Sequence, residues 1–416
     1  MKKLIIISLC MLLFSLCSCS KKEKELSILI ATDTHLYSKN LLSEDNKTYI
    51  KENFSSDGRI QEYDYKLFEG LIKEVNKLKP EYFILTGDLS YNGEKDSLLE
   101  VKRLLDTINS DTKVLVIPGN HDCYSLNPFS AINDKGLVLE GVTYEEFKDI
   151  FTDYGYQNAY SYDDKSLSYI YELTEDKWIL MLDTSLSEHN YEAKKNIVGG
   201  FLDEETLLWL ENNLVYAKEH NIEVISATHH NLLVHNPLFA GNYTLGNAER
   251  CLELFSKYQV KLNFSGHLHI QSIKSRIVND YEVFDIAGGG LLDYGNRYGI
   301  VNIYDDHYEY ESKVVETEIN NLKKHSFNTF YQEYYDKSMR ANSIYYRDDA
   351  EKVTDLLSKI NAYYFDGNYE KIHSLLFWNQ DLENIIIEDT RDYETSYVRT
   401  IIEVENKNQY KVKIKK

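Results

Sequence analysis

The chain is short of positive charge. Its 416 residues carry 46 Lys and Arg against 67 Asp and Glu, a formal net charge of −21. Proteins that grip nucleic acid over their whole surface rely on clustered Lys and Arg, so a nucleic-acid polymer is excluded as the main partner. A small anionic ligand would need local positive charge instead, and bound metal ions can supply it. Cysteine is scarce too. Of five, only Cys123 and Cys251 lie beyond residue 19, too few for a disulfide-built scaffold. Both are read as free thiols, with one pairing between them as the alternative; Cys123 is taken as a small hydrophobe rather than a nucleophile. The N-terminal apolar run, residues 4–16, falls short of the roughly twenty residues that span a bilayer.

What is present is a globular composition, 43% hydrophobic and 27% charged, enough for one large domain or a domain with an accessory unit. Residues 1–18 read as an export signal, with Lys2 and Lys3, an apolar core and small residues before a cysteine. Leu16-Cys17-Ser18-Cys19 is similar to the bacterial lipobox. The likeness implies cleavage before Cys19, its lipid modification, and an exported, extracytoplasmic protein anchored to a bacterial membrane. Residues 19–25 would be anchor and polar spacer.

Strand and helix patterns then alternate. A strand at 27–32 ends in Asp33-Thr34-His35, and side chains two apart in a strand point the same way, so Asp33 and His35 are expected to converge. A helix at 65–78 shows Leu67, Phe68, Leu71, Ile72 and Val75 at helical spacing. The strand 82–86 ends in Gly87-Asp88, and a helix capped by Asp96 runs to about residue 109. The strand 113–117 leads to Gly119-Asn120-His121-Asp122. This alternation predicts parallel α/β construction, where ligand groups gather at the C-terminal ends of strands. Further on, 168–173 and 178–183 form a hairpin, and a helix at 203–220 is expected to bury Leu207, Leu208, Leu210 and Leu214. The strand 223–227 ends in Thr228-His229-His230. After a helix at 248–258, the strand 260–264 ends in Gly266-His267-Leu268-His269. Residues 270–315 alternate as antiparallel strands completing a second sheet. The excursions 36–63 and 123–166 are placed at the mouth of the site. Residues 316–416 read as a mainly helical accessory region, either a docking unit for a protein partner or a structural cap. Its basic tail, 411–416, reads as a solvated terminus, with contact to an anionic membrane as the alternative. His189, His220, His235, His307, His325 and His373 lack partners at ligand spacing and are read as surface residues.

The chemistry lies in the clusters at the strand ends. Buried imidazoles, carboxylates and amides are costly to desolvate unless something there needs them. Mixed donors of this kind suit Mn, Fe or Zn and are too rich in nitrogen for a dedicated Mg or Ca site. The ordered set DTH (33–35), GDL (87–89), GNHD (119–122), HH (229–230) and GHLH (266–269) resembles the calcineurin-like metallophosphoesterase superfamily over residues 26–315. The resemblance implies an α/β fold, a four-layer α/β/β/α sandwich of two mixed sheets, with 316–416 as a helical appendage. It implies two divalent or mixed-valence transition metal ions, one held by Asp33, His35, Asp88 and His269, the other by Asp88, Asn120, His229 and His267. Asp88 would bridge them. His121 would contact the phosphate or protonate the leaving oxygen, Asp122 would orient His121, and His230 would support the ligands from behind. Asn231, where many relatives carry proline, is expected to alter the local substrate wall. The implied reaction is hydrolysis of a small phosphate ester by a hydroxide generated at the metals, most like the phosphodiesterases acting on cyclic nucleotides. A phosphomonoesterase or protein phosphatase, and a metal-holding lipoprotein without turnover, are the alternatives.

Overall fold

The computed structural model describes residues 24–43, 58–132, 136–340, 349–381, 393–402 and 408–416. The expected export signal, Cys19 and the centre of the 36–63 excursion lie outside the described residues. In chain order the strands are β1 (Leu26–Ala31), β2 (Tyr82–Thr86), β3 (Lys113–Ile117), β4 (Phe129–Ser130), β5 (Leu137–Val138), β6 (Ser161–Tyr162), β7 (Tyr169–Thr174) and β8 (Lys177–Leu182). They continue as β9 (Glu223–Thr228), β10 (Leu262–Ser265), β11 (Ser272–Val278), β12 (Tyr281–Ala287), β13 (Arg297–Ile303), β14 (His307–Val314) and β15 (Lys411–Lys415).

Two mixed sheets stack face to face. The first runs β15-β14-β13-β1-β2-β3 and the second β11-β12-β10-β9-β8-β7-β6; β4 and β5 form a separate ribbon. In the first, β1, β2 and β3 are parallel and β13 meets β1 antiparallel, Leu26 opposite Ile303. In the second, β8, β9, β10 and β12 are parallel. The central strands are buried on both faces, which is why LSILIA, YFILT and KWILML read as nearly unbroken apolar runs. Their alternation divides the core. On β8, Ile179 and Met181 pack between the sheets, whereas Trp178, Leu180 and Leu182 face an outer cluster with Leu210, Leu214 and Phe255. Leu210 and Leu214 come from the helix Glu204–Glu219 and Phe255 from Ala248–Tyr258. The helices Asp64–Leu78 and Lys95–Leu105 cross over between the parallel strands of the first sheet, giving helix, sheet, sheet, helix.

Several details depart from the sequence pattern. Leu208 is exposed: the buried face of its helix is Leu207, Leu210, Leu214 and Ala217, and Leu208 sits one residue off it. Asp96 lies inside its helix, which starts at Lys95 after the buried Glu94 and ends at Leu105. Residues 270–315 do not complete one sheet. The β11-β12 hairpin extends the second, while β13-β14 crosses to the first to flank β1. The tail is not a loose terminus, although its lysines stay exposed. Residues Lys411–Lys415 are the edge strand of the first sheet, paired with β14 from Tyr308↔Ile414 to Glu311↔Lys411. His235 and His307 are buried beside acidic partners, Asp285 and Asp306 with Glu309, and are not surface residues.

Between β14 and β15 the chain forms the helices Leu322–Arg340, Ala350–Phe365, Tyr369–Trp378 and Tyr393–Ile402. Val353, Leu357, Ile360, Ile372 and Val398 close around their own apolar centre, joined by Leu268 and Ile270. The residue between His267 and His269 is therefore rooted in the helical region. Among the described residues no helix is long and apolar enough to cross a membrane.

Candidate metal centre

Every candidate ligand lies just past the C-terminal end of a strand. Asp33 and His35 follow β1, Asp88 follows β2, Asn120 follows β3, His229 follows β9, and His267 and His269 follow β10. Strand alternation is not what makes the pairs converge. Asp33 (φ 51°), His35 (φ 39°), Asp88 (φ 49°), His267 (φ 65°) and His269 (φ 59°) all adopt left-handed backbone, which costs an L residue roughly 1–2 kcal/mol each. Surrounding bonds hold these turns: Asp33 N donates to Gly87 O at 3.1 Å, His35 N to Asp88 O at 2.9 Å, and His267 N to Asp33 Oδ2 at 3.0 Å. At Gly119 a Cβ would stand 2.2 Å from Asp88 Oδ1 and 2.4 Å from Asp88 N, so no larger residue fits.

The ligands gather into two overlapping sets. Donor atoms of Asp33, His35, Asp88 and His269 lie within 4.8 Å of one another, as do those of Asp88, His229 and His267. Asn120 joins the second set, its Oδ1 3.1 Å from His229 Nε2. Asp88 Oδ2 is shared, 3.7 Å from His35 Nε2 and 3.4 Å from His229 Nε2. The donors fit two cations. Asp33 Oδ1 is buried with the Nε2 of His269, 3.1 Å away and off hydrogen-bond geometry, beside it, and the Nε2 atoms of His35 and His269 face each other at 3.3 Å, a contact two ring protons could not share.

Partners behind the rings fix which nitrogen is presented. His229 Nδ1 donates to Thr86 O at 2.9 Å and His267 Nε2 to Asn242 O at 3.1 Å, leaving His229 Nε2 and His267 Nδ1 for the site. His269 Nδ1 meets Asp293 Oδ2 at 2.8 Å. His230 has both nitrogens occupied, by Thr184 Oγ1 at 2.8 Å and Val198 O at 2.9 Å. Asn231 is fully buried and does not form a substrate wall. Its amide donates to Ser265 Oγ and Gly266 O, tying the two histidine turns together.

Among the protein's own charges the site is strongly polarised. Burial pushes the Asp88 carboxyl up, but His229 and His121 outweigh it and hold Asp88 well below the usual range. Burial lowers His229, yet Asp88 lifts it to about 9. Burial also opposes the charged form of His269, and Asp293 and Asp33 raise it well above its ordinary value. His35 is lowered by burial and then by Arg59; His267 by burial and by His230 and His229. Burial drops His230 to about 3.

His121 and Asp122 do not form the expected pair. Asp122 accepts from the backbone N–H groups of Leu89, Ser90 and Gly119 and from Ser90 Oγ, so it clamps the turn after β2 to the turn after β3. Burial and the charge of Asp88 push its carboxyl up to about 6. The His121 ring is oriented by Tyr91 O and Asn92 Oδ1, each 2.9 Å from Nδ1. Burial lowers its pKa rather than keeping it protonated, Asp88 opposing. Sequence reasoning missed Asp293 and Arg59. Neither stands in a motif, yet Asp293 holds a ligand ring, and the buried Arg59 shares a cavity of about 440 Å³ with His35, Asp88, Asn120 and His121. Cys123 and Cys251 are buried free thiols.

A family model described as calcineurin-like phosphoesterase matches residues 26–271. A serine/threonine-protein phosphatase of Bos taurus is 30% identical over 83 residues, covering 18% of this chain; the match spans only 26% of that relative. A probable cyclic nucleotide phosphodiesterase of Xenorhabdus bovienii is 25% identical over 210 residues, covering 49% of this chain and 69% of the relative. A dimetal phosphatase from Danio rerio superposes with a TM-score of 0.49 and 13% identity, over 71% of this chain and 98% of that one.

Proposed function

The chain belongs to the calcineurin-like phosphoesterase family of metal-dependent phosphoester hydrolases, and on that premise we propose that it hydrolyses phosphodiesters, cyclic nucleotides among them. The observation that carries the proposal is the meeting of two ligand sets at Asp88 on the floor of a cavity of about 440 Å³. The likeness to a probable cyclic nucleotide phosphodiesterase supports the diester preference. Nitrogen-rich, mixed donors favour Mn, Fe or Zn. Two such ions would supply Lewis-acid polarisation of the phosphoryl group and a nucleophile at neutral pH.

The chain's own groups do the rest. Asp88, shared between the sets, fixes the two sites relative to each other. His121 has Nδ1 tied to the turn after β2, which presents Nε2, 4.0 Å from Asp88 Oδ2, to the phosphate or the leaving oxygen. Arg59 lines the same cavity with a planar donor fork suited to phosphoryl oxygens, where the net charge of the chain would otherwise repel an anion. We assign the protein to the outer face of a bacterial membrane, held by lipid on Cys19. Cys19→Ser should then abolish incorporation of labelled palmitate, and incorporation that persists would refute the anchor.

The test of function is hydrolysis by the full chain with added Mn. Bis-p-nitrophenyl phosphate should be cleaved faster than p-nitrophenyl phosphate, and Asp88→Asn and His121→Ala should each remove most of that activity. Preference for the monoester would move the protein to the phosphomonoesterases or protein phosphatases. Two bound ions without turnover of either ester would leave a metal-holding binding lipoprotein.

A further inference from the structure

The cavity above Asp88 has two unlike halves. One is the metal cluster with Arg59 and His121. The other lies mostly beyond residue 271, where the family match stops. It is built by Phe239 and Tyr243 from the short helices Pro237–Phe239 and Ala240–Tyr243, Phe330 and Tyr334 from Leu322–Arg340, Phe365 from Ala350–Phe365, and Tyr397 from Tyr393–Ile402.

The rings form two groups, joined through Tyr364, which meets Phe365 at 6.1 Å and Tyr397 at 6.2 Å between centroids. Tyr243 packs on the ligand ring of His267 at 4.9 Å, Phe239 meets Tyr243 at 5.5 Å and Tyr397 at 5.2 Å, and Phe330 meets Phe365 at 4.7 Å between centroids. Aromatic residues between helices often only fill a core. Here Phe239, Tyr243, Tyr334 and Phe365 remain half-buried and line the cavity. Polar groups stand among them: Glu333 and Lys337, paired with each other at 3.1 Å, and Asn361. Asn361 is 4% exposed and its Oδ1 accepts from the Tyr397 hydroxyl at 2.7 Å, whereas its Nδ2 makes no hydrogen bond among the described residues. Asn361 lines the cavity with this donor uncommitted, so a ligand acceptor can meet it there.

We infer that this half is a subsite for a planar heteroaromatic group carried by the phosphate ester, with the rings stacking on it and Asn361 Nδ2 donating to a ring acceptor. The inference rests on the phosphoesterase reading for the position of the phosphate, and it makes the C-terminal helices part of the substrate site rather than an appendage. A volume of about 440 Å³ falls within the range of small-molecule sites.

The test uses the full chain loaded with Mn and compares 3′,5′-cyclic AMP with glycerol 1,2-cyclic phosphate by 31P NMR, alongside equilibrium dialysis of adenosine, which has no phosphate. The wild-type protein should prefer the nucleoside ester in kcat/KM and bind adenosine. Tyr334→Leu, which removes a ring, and Asn361→Asp, which keeps the acceptor for Tyr397 but removes the donor, should each lower the preference roughly tenfold and weaken adenosine binding. Should either variant lose its near-ultraviolet circular dichroism, Phe239→Leu takes its place. Cleavage of both esters with a preference insensitive to the variants, and no adenosine binding, overturns the subsite and leaves the phosphodiesterase reading intact. Variant-sensitive adenosine binding without turnover of either ester does the reverse.

Discussion

Asp293 belongs to neither ligand set, yet it holds His269 Nδ1 at 2.8 Å and so decides which lone pair that ring offers. Carboxylates behind metal-bound imidazoles typically contribute 10- to 100-fold to affinity. Asp293→Asn should therefore weaken Mn binding by about that factor, read by competition with a fluorescent chelator. Unchanged affinity would mean that packing alone orients His269. Residues of this kind were not legible in the sequence. Asp33, His35, Asp88, Asn120, His229, His267 and His269 stand in short motifs after apolar runs, and the structure brings all seven together. Asp293 and Arg59 are single residues in loops, and nothing in their spacing marks them. Asp122 shows the opposite failure. Adjacency to His121 suggested a partner for the ring, but neighbouring side chains at a turn diverge, and its carboxylate binds backbone instead.

Element by element, hydrophobic period located most strands and helices, and left unsettled which sheet a strand would join. Alternation in 270–315 is the same whether a strand flanks β12 or β1, so the division between sheets was invisible. The left-handed turns were invisible too, because Asp and His at those positions carry no glycine-like signature. One turn has a measurable pH signature. At the start of Asp64–Leu78, the Asp64 carboxylate accepts from Tyr37 N and from Gln61 Nε2, and Gln61 Nε2 also donates to His35 O. Burial raises the Asp64 pKa from 3.8 to about 7. The folded state thus keeps a proton that the unfolded chain releases, so this contribution to stability is complete below pH 4 and is lost as pH rises to 7. Asp64→Asn cannot ionise. Relative to the wild type, it should gain on the order of 4 kcal/mol across that window in urea unfolding. Parallel stability curves for the two proteins would show that Asp64 titrates normally.

For the whole molecule, the division of ligands matters most. Asp33, His35, Asp88 and Asn120 stand on the rim of the first sheet, and His229, His267 and His269 on the rim of the second. Each set draws on both rims. Cations bound there join the sheets, and ligands that bind only the folded state stabilise it by mass action, about 2.7 kcal/mol at a hundredfold excess over Kd. Chelation should lower Tm by several degrees and Asp88→Asn should shrink the difference; a Tm indifferent to metal would argue against two-sheet ligation.

The same division has a consequence for the core. No single loop gauges the gap that an ion must fill. That gap is set by how far apart the sheets ride, and so by the side chains wedged between them, such as Ile179, Ile225 and Phe264. These act as shims. Trimming one, though none of them is a ligand, should let the rims shift against each other and so loosen the fit between the two ligand sets.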